Sequence, residues 1–416
     1  MKNTFLSKTG FLFCALLITI PSFVQGDLNL CEDVVETIDL KAFEKQLQKV
    51  AKSNVRPDTC ACEVETGCLT IPARDDGAIP AADIYYKIQG KAHCSKPTLV
   101  FVHGYQSTAE NWACQQNSLC ESYRTVAFDM RGFGRSSKTI GIDYTMDLLA
   151  DDIEAVLDEL HIGKNIILIG ESLGSGVVMN FAARKPDQLV KLVLMSGAPV
   201  YDIKDCGISA FCDVPTTCDA EVCYSFARPE SLSNAETADL FACVAENPTP
   251  EGQLGCVVRN TLHFSLNEQC EDQQNLLIQR ASQIVFYGFT AFTQMCGDVP
   301  CGAIADASVA ANALHQNQLP ILSDVTVPTL IVYGTIDNRV TPQNATVLFE
   351  GIKHSYLVGF VGKGHLPQNT AVKEFNDLLV DFVKGKVCKK PFLINAECDV
   401  CDVPFVFPFV PCDTAA

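Results

Sequence analysis

The chain has 416 residues, 48% of them hydrophobic and 19% charged, with a formal net charge of −18 and 21 cysteines. The apolar content excludes an intrinsically disordered chain. The acidic balance excludes a nucleic-acid binder that works by neutralising phosphates.

Residues 1–26 read as a secretory signal peptide. Lys2 and Lys8 give a positive start, Phe11 to Ile20 is an apolar run too short to span a bilayer, and Val24-Gln25-Gly26 is a small-residue cleavage site. Cleavage removes Cys14 and leaves an even 20 cysteines, as a disulfide frame in an oxidising compartment requires. The expected location is therefore extracellular, or a periplasm or lumen on the secretory route. No later segment is a convincing membrane span, since the apolar stretch Leu276 to Met295 contains Gln279, Arg280, Gln283 and Gln294.

Residues 27–78 read as a cysteine-rich extension, with helical spacing over Asp39 to Ala51 and then Cys60, Cys62 and Cys68. Short apolar runs follow: Ile84 to Ile88, Thr98 to Val102, Thr125 to Phe128, Ile166 to Ile169 and Leu189 to Met195. Thr329 to Tyr333 and Tyr356 to Val361 complete the set. Helical patterns lie between them at Met146 to Leu160, Leu173 to Arg184 and Val372 to Val383. Uninterrupted apolar strands alternating with helices predict an α/β fold, a doubly wound and mostly parallel sheet covered on both faces. The core spans residues 79–198 and 323–386. Residues 199–322 break the alternation with nine cysteines and read as an inserted, mainly helical, disulfide-rich cap. Residues 387–416 form a cysteine-containing tail.

The chemistry concentrates at Gly170-Glu171-Ser172-Leu173-Gly174, between a strand and a helix. A serine there sits on a sharp turn that requires Gly170 and Gly174 and that aims the first helical N–H groups at a reacting carbonyl. A serine hydroxyl needs a base. His365, after the last core strand, is the candidate, and Asp337, after Thr329 to Tyr333, is the candidate orienting acid. The order Ser, Asp, His matches one of the known triad arrangements. The backbone N–H groups of Tyr105 and Leu173 are the candidate oxyanion donors, Tyr105 following His103 and Gly104 at the end of a strand. Asp129 and Asp202 also follow strands and are alternative acids. His103 reads as a structural histidine behind the oxyanion loop.

Together these segments resemble an α/β-hydrolase of the esterase and haloperoxidase-like branch with an inserted cap. The pieces are His103-Gly-Tyr105 with Trp112, Asp129-Met-Arg-Gly-Phe-Gly-Arg-Ser136, Gly170 to Gly174, Pro328 to Gly334 with Asp337, and Gly364-His365. The resemblance covers about residues 80 to 385, less the insertion. It implies Ser172 as nucleophile, Asp337 as acid, His365 as base and Tyr105 as second oxyanion donor, with Asp129 fixing the turn at Arg131. It departs from the family at Glu171, where that branch often carries His, and in lacking a His-Gly-Gly-Gly oxyanion loop.

The expected activity is hydrolysis of an ester or lactone of a small to medium-sized molecule through an acyl-enzyme, with an exopeptidase or amidase, or a non-catalytic binding protein, as the alternatives. No metal, organic cofactor or nucleic-acid partner is expected, nor stable membrane insertion; oligomeric state, substrate and disulfide connectivity are open. Cys60-Ala-Cys62 and Cys398-Asp-Val-Cys401 lack a second pair at zinc spacing and read as disulfide cysteines. Asn344-Ala-Thr346 is a glycosylation sequon.

Overall fold

The computed structural model describes residues 62–92, 95–105, 107–200, 312–337 and 339–400, and positions 246, 270, 295, 296, 299, 300, 305, 308, 309 and 412. The signal peptide, the Asp39 to Ala51 helix, Asp202 and most of the inserted cap lie outside the described residues.

Nine strands form one sheet in the order β1-β2-β4-β3-β5-β6-β9-β10-β11. They are β1 (Val64–Ile71), β2 (Ala82–Gln89), β3 (Thr98–Val102), β4 (Thr125–Phe128), β5 (Ile166–Glu171), β6 (Leu189–Met195), β9 (Thr329–Gly334), β10 (Ser355–Phe360) and β11 (Phe392–Ile394). A separate two-stranded ribbon pairs β7 (Met295–Cys296) with β8 (Val299–Pro300) inside the insertion. In the nine-stranded sheet β1, β2 and β4 pair antiparallel and every other neighbour is parallel. Helices α1 (Ala113–Leu119), α2 (Met146–Glu159), α3 (Leu173–Arg184), α4 (Pro342–Gly351), α5 (Pro367–Thr370) and α6 (Val372–Val383) join these strands.

The apolar runs form strands because both sheet faces are covered. Successive side chains point to opposite faces, so Val100 and Val102 of β3 join one core with α2, α3 and α4, while Leu99 and Phe101 join the other with Trp112 and α6. α6 shows the complementary logic: Phe375, Leu378, Leu379 and Phe382 are buried, while Lys373 and Asp377 pair on its exposed face. Thr145 caps α2 by accepting from the Leu148 N–H.

Four strands arise where none was predicted: the short pair β7 and β8 in the insertion read as mainly helical, and two in the main sheet. β1 lies inside the stretch read as an extension and pairs along its whole length with β2. β11 lies in the tail and pairs with β10. Disulfides Cys62–Cys120, Cys68–Cys412 and Cys270–Cys398 tie these outer segments and the insertion to the sheet. Cys62 and Cys398, one from each pair weighed for zinc, are thus disulfide-bonded, and Cys388 is an exposed free thiol. The Asn344 amide is buried at the start of α4 and donates to Thr341, which closes the sequon to modification in the folded chain. No helix among the described residues is long and apolar enough to cross a membrane.

The turn after β4 is built on buried charge. Asp129 accepts from the Ala109 N–H at 2.7 Å, from the Arg135 N–H at 2.8 Å and from Arg135 Nε at 2.8 Å. Arg135 also reaches Glu110, which in turn pairs with Lys87. Asp129 thus fixes the turn that contains Arg131, and does so through Arg135, while Arg131 itself pairs with Asp152 on α2. Both arginines follow Asp129 closely in sequence, and only Arg135 has the backbone return that brings its fork to the carboxylate. Removing one member of such a network strands a buried charge. Asp129→Ala should lower unfolding stability by about 3–5 kcal/mol, read from urea titration at neutral pH.

Candidate active site

Four loops meet at the carboxyl ends of the central strands. β3 ends at His103-Gly104-Tyr105, β5 at Glu171-Ser172, β9 precedes Asp337, and β10 precedes His365. Sites in parallel sheets collect at this edge.

The β5–α3 turn is sharp and strained. Ser172 has φ 51° and ψ −121°, outside the ordinary regions for a non-glycine residue. The turn closes only because its flanks lack side chains. A Cβ on Gly170 would stand 2.3 Å from the Gly174 carbonyl oxygen, and one on Gly174 would stand 2.5 Å from the Val102 carbonyl oxygen. Leu173 opens α3, so its N–H belongs to the first turn, which has no intrahelical acceptor.

His365 and Asp337 are in contact, with Nδ1 and Oδ2 2.8 Å apart. The other oxygen of Asp337 accepts from the backbone N–H groups of Arg339 and Val340 at 2.8 and 3.0 Å, which fixes the carboxylate. Ser196, in the left-handed region at φ 47° after β6, donates its hydroxyl to the His365 carbonyl at 2.8 Å. Burial disfavours a charge on His365, but Asp337 and then Glu171 favour it, and the net effect raises its pKa.

Glu171, in sequence a departure from the family pattern, meets His365 in the fold. Its Oε1 lies 3.3 Å from His365 Nε2. Its Oε2 accepts from Asn111 Nδ2 at 3.3 Å, and the Gly104 backbone N–H also bonds to the carboxylate. Burial pushes the Glu171 carboxyl up to about 7, against the pull of His365. Asn111 itself accepts from Asn369 Nδ2 at 2.7 Å. Sequence reasoning missed Asn111, Asn369 and Ser196; only the serine carried a signal, standing directly after a predicted strand.

His103 braces the loop that carries Gly104 and does not pair with Asp337. Nε2 accepts the Met130 N–H at 2.9 Å, so Nδ1 carries the proton and donates to the Gly104 carbonyl at 2.7 Å. Asp129 is engaged by Arg135, as described above, and it is Asp337 that touches His365. Among the described residues no group of three or more His, Cys, Asp or Glu side chains could hold a metal ion.

A strained serine between a parallel strand and a helix, with a His–Asp pair at the same sheet edge, defines the α/β-hydrolase fold, and the chain has it. A family profile for that fold matches residues 97–222. The bifunctional esterase/perhydrolase DCH of Acinetobacter calcoaceticus is 36% identical over 124 residues, 29% of this chain and 44% of the relative, so that match spans less than half of the relative's length. The 2-hydroxymuconate semialdehyde hydrolase of Pseudomonas sp. (strain CF600) is 25% identical over 289 residues, 68% of this chain and 86% of its own. The structure of bromoperoxidase from Bacillus anthracis superposes with a TM-score of 0.55 at 22% identity, over 77% of this chain and 100% of that one.

Burial holds His103 neutral, with its pKa lowered to about 4. Its NMR signals should therefore stay those of the Nδ1–H tautomer between about pH 8 and about pH 5, whereas an unperturbed histidine titrates near 6.5. The unfolded chain takes up this proton first, so the residue also removes stability as pH falls from about 6.5 to about 4.

Proposed function

We propose that this protein is a serine hydrolase that cleaves a carboxylic ester or lactone of a small to medium-sized molecule. The observation that carries the reading is the 2.8 Å His365–Asp337 contact, made at the sheet edge where Ser172 is held in a strained turn. His365 Nε2 takes the Ser172 proton as Oγ bonds to the acyl carbon. Asp337 holds the tautomer with Nδ1 protonated and stabilises the imidazolium. The backbone N–H groups of Leu173 and Tyr105 receive the oxyanion, each such donor contributing on the order of 10²- to 10³-fold in rate. The imidazolium then gives its proton to the leaving oxygen, leaving an acyl group on Ser172. A water deprotonated by His365 attacks that acyl group and releases the acid. The esterase named among the relatives supports an ester over an amide.

The signal-like N-terminus and the disulfides among the described residues support a site of action in an oxidising compartment. In this reading the insertion is a cap that shapes the acyl and leaving-group pocket.

A fluorophosphonate probe should label wild-type protein on the peptide containing Ser172, and Ser172→Ala should not be labelled. Asp337→Asn should keep the fold and lower kcat by about 10³- to 10⁴-fold on a chromogenic ester, because the imidazole loses the correct tautomer. Aminoacyl-amide substrates assayed beside the esters test the substrate class: faster amide cleavage would make the protein an exopeptidase. A wild type that is neither labelled nor active on either class would show a non-catalytic protein.

A further inference from the structure

His365 carries a carboxylate on each ring nitrogen, Asp337 at 2.8 Å from Nδ1 and Glu171 at 3.3 Å from Nε2. Hydrolysis by the route above requires only the first. Nε2 is the atom that must exchange protons with Ser172 and the leaving group, so a second carboxylate beside it competes for the same proton.

Glu171 is held there by several independent features. It is buried, Asn111 and the Gly104 N–H bond to its carboxylate, and Asn369 orients Asn111. Gly104 also leaves it room: a Cβ there would stand 2.3 Å from Glu171 Oε2. The glycine of the His103-Gly104 pair therefore makes space for this acid. The charged groups acting on Glu171 are His365, Asp337 and Arg339.

We propose that Glu171 is a positioning residue for the hydrolysis proposed above, holding the His365 imidazolium at Nε2 and setting the pH below which Ser172 has no base. In the resting low-pH state the Glu171–His365 pair keeps one proton between Oε1 and Nε2. As pH rises, that proton leaves to solvent, Nε2 becomes bare, and the Ser172 proton can move to it. During the reaction the same carboxylate faces the imidazolium and stabilises it. The pair titrates as a unit, so its apparent midpoint belongs to both groups. The raised pKa of His365, to which Asp337 and then Glu171 contribute against the effect of burial, agrees in direction with this arrangement.

The test is the pH dependence of kcat/KM on a chromogenic ester, with the pH dependence of fluorophosphonate labelling as a second readout. In the wild type the acid limb should have its midpoint above the ~6.5 of a free histidine. In Glu171→Gln the limb should move down by about one pH unit or more, the effect expected on removing a charge this close. Glu171→Asp keeps the charge one methylene further back, should fold if the glutamine variant does not, and should give a smaller downward shift. A wild-type midpoint below about 6.5 would overturn the proposal. So would folded Glu171→Gln or Glu171→Asp protein whose limb stays within about 0.2 units of the wild type's, a displacement far below that expected for a charge at this distance. Failure of the hydrolase reading looks different: the wild type would then show neither turnover nor labelling. In that case the NMR midpoint of His365, compared between wild type and Glu171→Gln, still decides whether the carboxylate holds the imidazolium.

Discussion

The arrangement depends on how closely two backbones approach. The β5–α3 turn packs against the end of β3, with Gly174 facing the Val102 and His103 carbonyls and Gly170 facing Gly174. No side chain fits between them, and the contact decides where everything else stands. It forces the left-handed backbone at Ser172, sets where α3 begins, and places the Leu173 N–H beside the loop that carries Tyr105. It also brings Glu171 against Gly104. A methyl group at any of these glycines would displace several functional atoms together, because they share one piece of rigid backbone.

Around that contact, charge is used in two ways. Asp129, Arg135, Glu110 and Lys87 form one buried network, and Arg131, Asp152 and Arg74 form another. In both, acids face arginines or lysine directly, so the charges are compensated and the loops they hold stay fixed. Glu110 shows the effect: burial opposes its charge, yet Lys87 and Arg135 pull its pKa down to about 2. Glu171 is equally buried but faces a histidine and another acid, and its pKa moves the opposite way. Burial with a permanent cation locks a carboxylate in one state. Burial with an imidazole leaves it able to change state near neutral pH.

Much of this was legible in the sequence. The central strands announce themselves because a strand covered on both faces must be apolar at every position. The Ser172, Asp337 and His365 positions are legible because each follows such a run. β1 is not, because it is an edge strand with one solvated face: Thr66, Cys68 and Thr70 are exposed while Leu69 and Ile71 turn to the core, and its cysteine is committed to a disulfide. β11 is too short to show a period. Which arginine meets Asp129 depends on a turn of the chain that residue types do not encode. Glu171 was visible as a residue but not as a partner of His365, since their contact joins loops 194 positions apart. Asn111 and Asn369 escaped notice for the same reason, being ordinary polar residues until the fold buries them together.

The Cys68–Cys412 bond spans 344 positions and joins the edge strand β1 to the tail segment beyond β11. It makes the α/β unit a covalent ring: every strand of the main sheet from β2 to β11 lies between its two sulfurs. A single cut in the insertion cannot release a fragment, because both halves remain attached through the ring. The two outer strands, β1 and β11, are anchored on the same closed circuit. For a protein exposed to proteases, integrity then depends on two cuts, or one cut and a reductant, rather than on one.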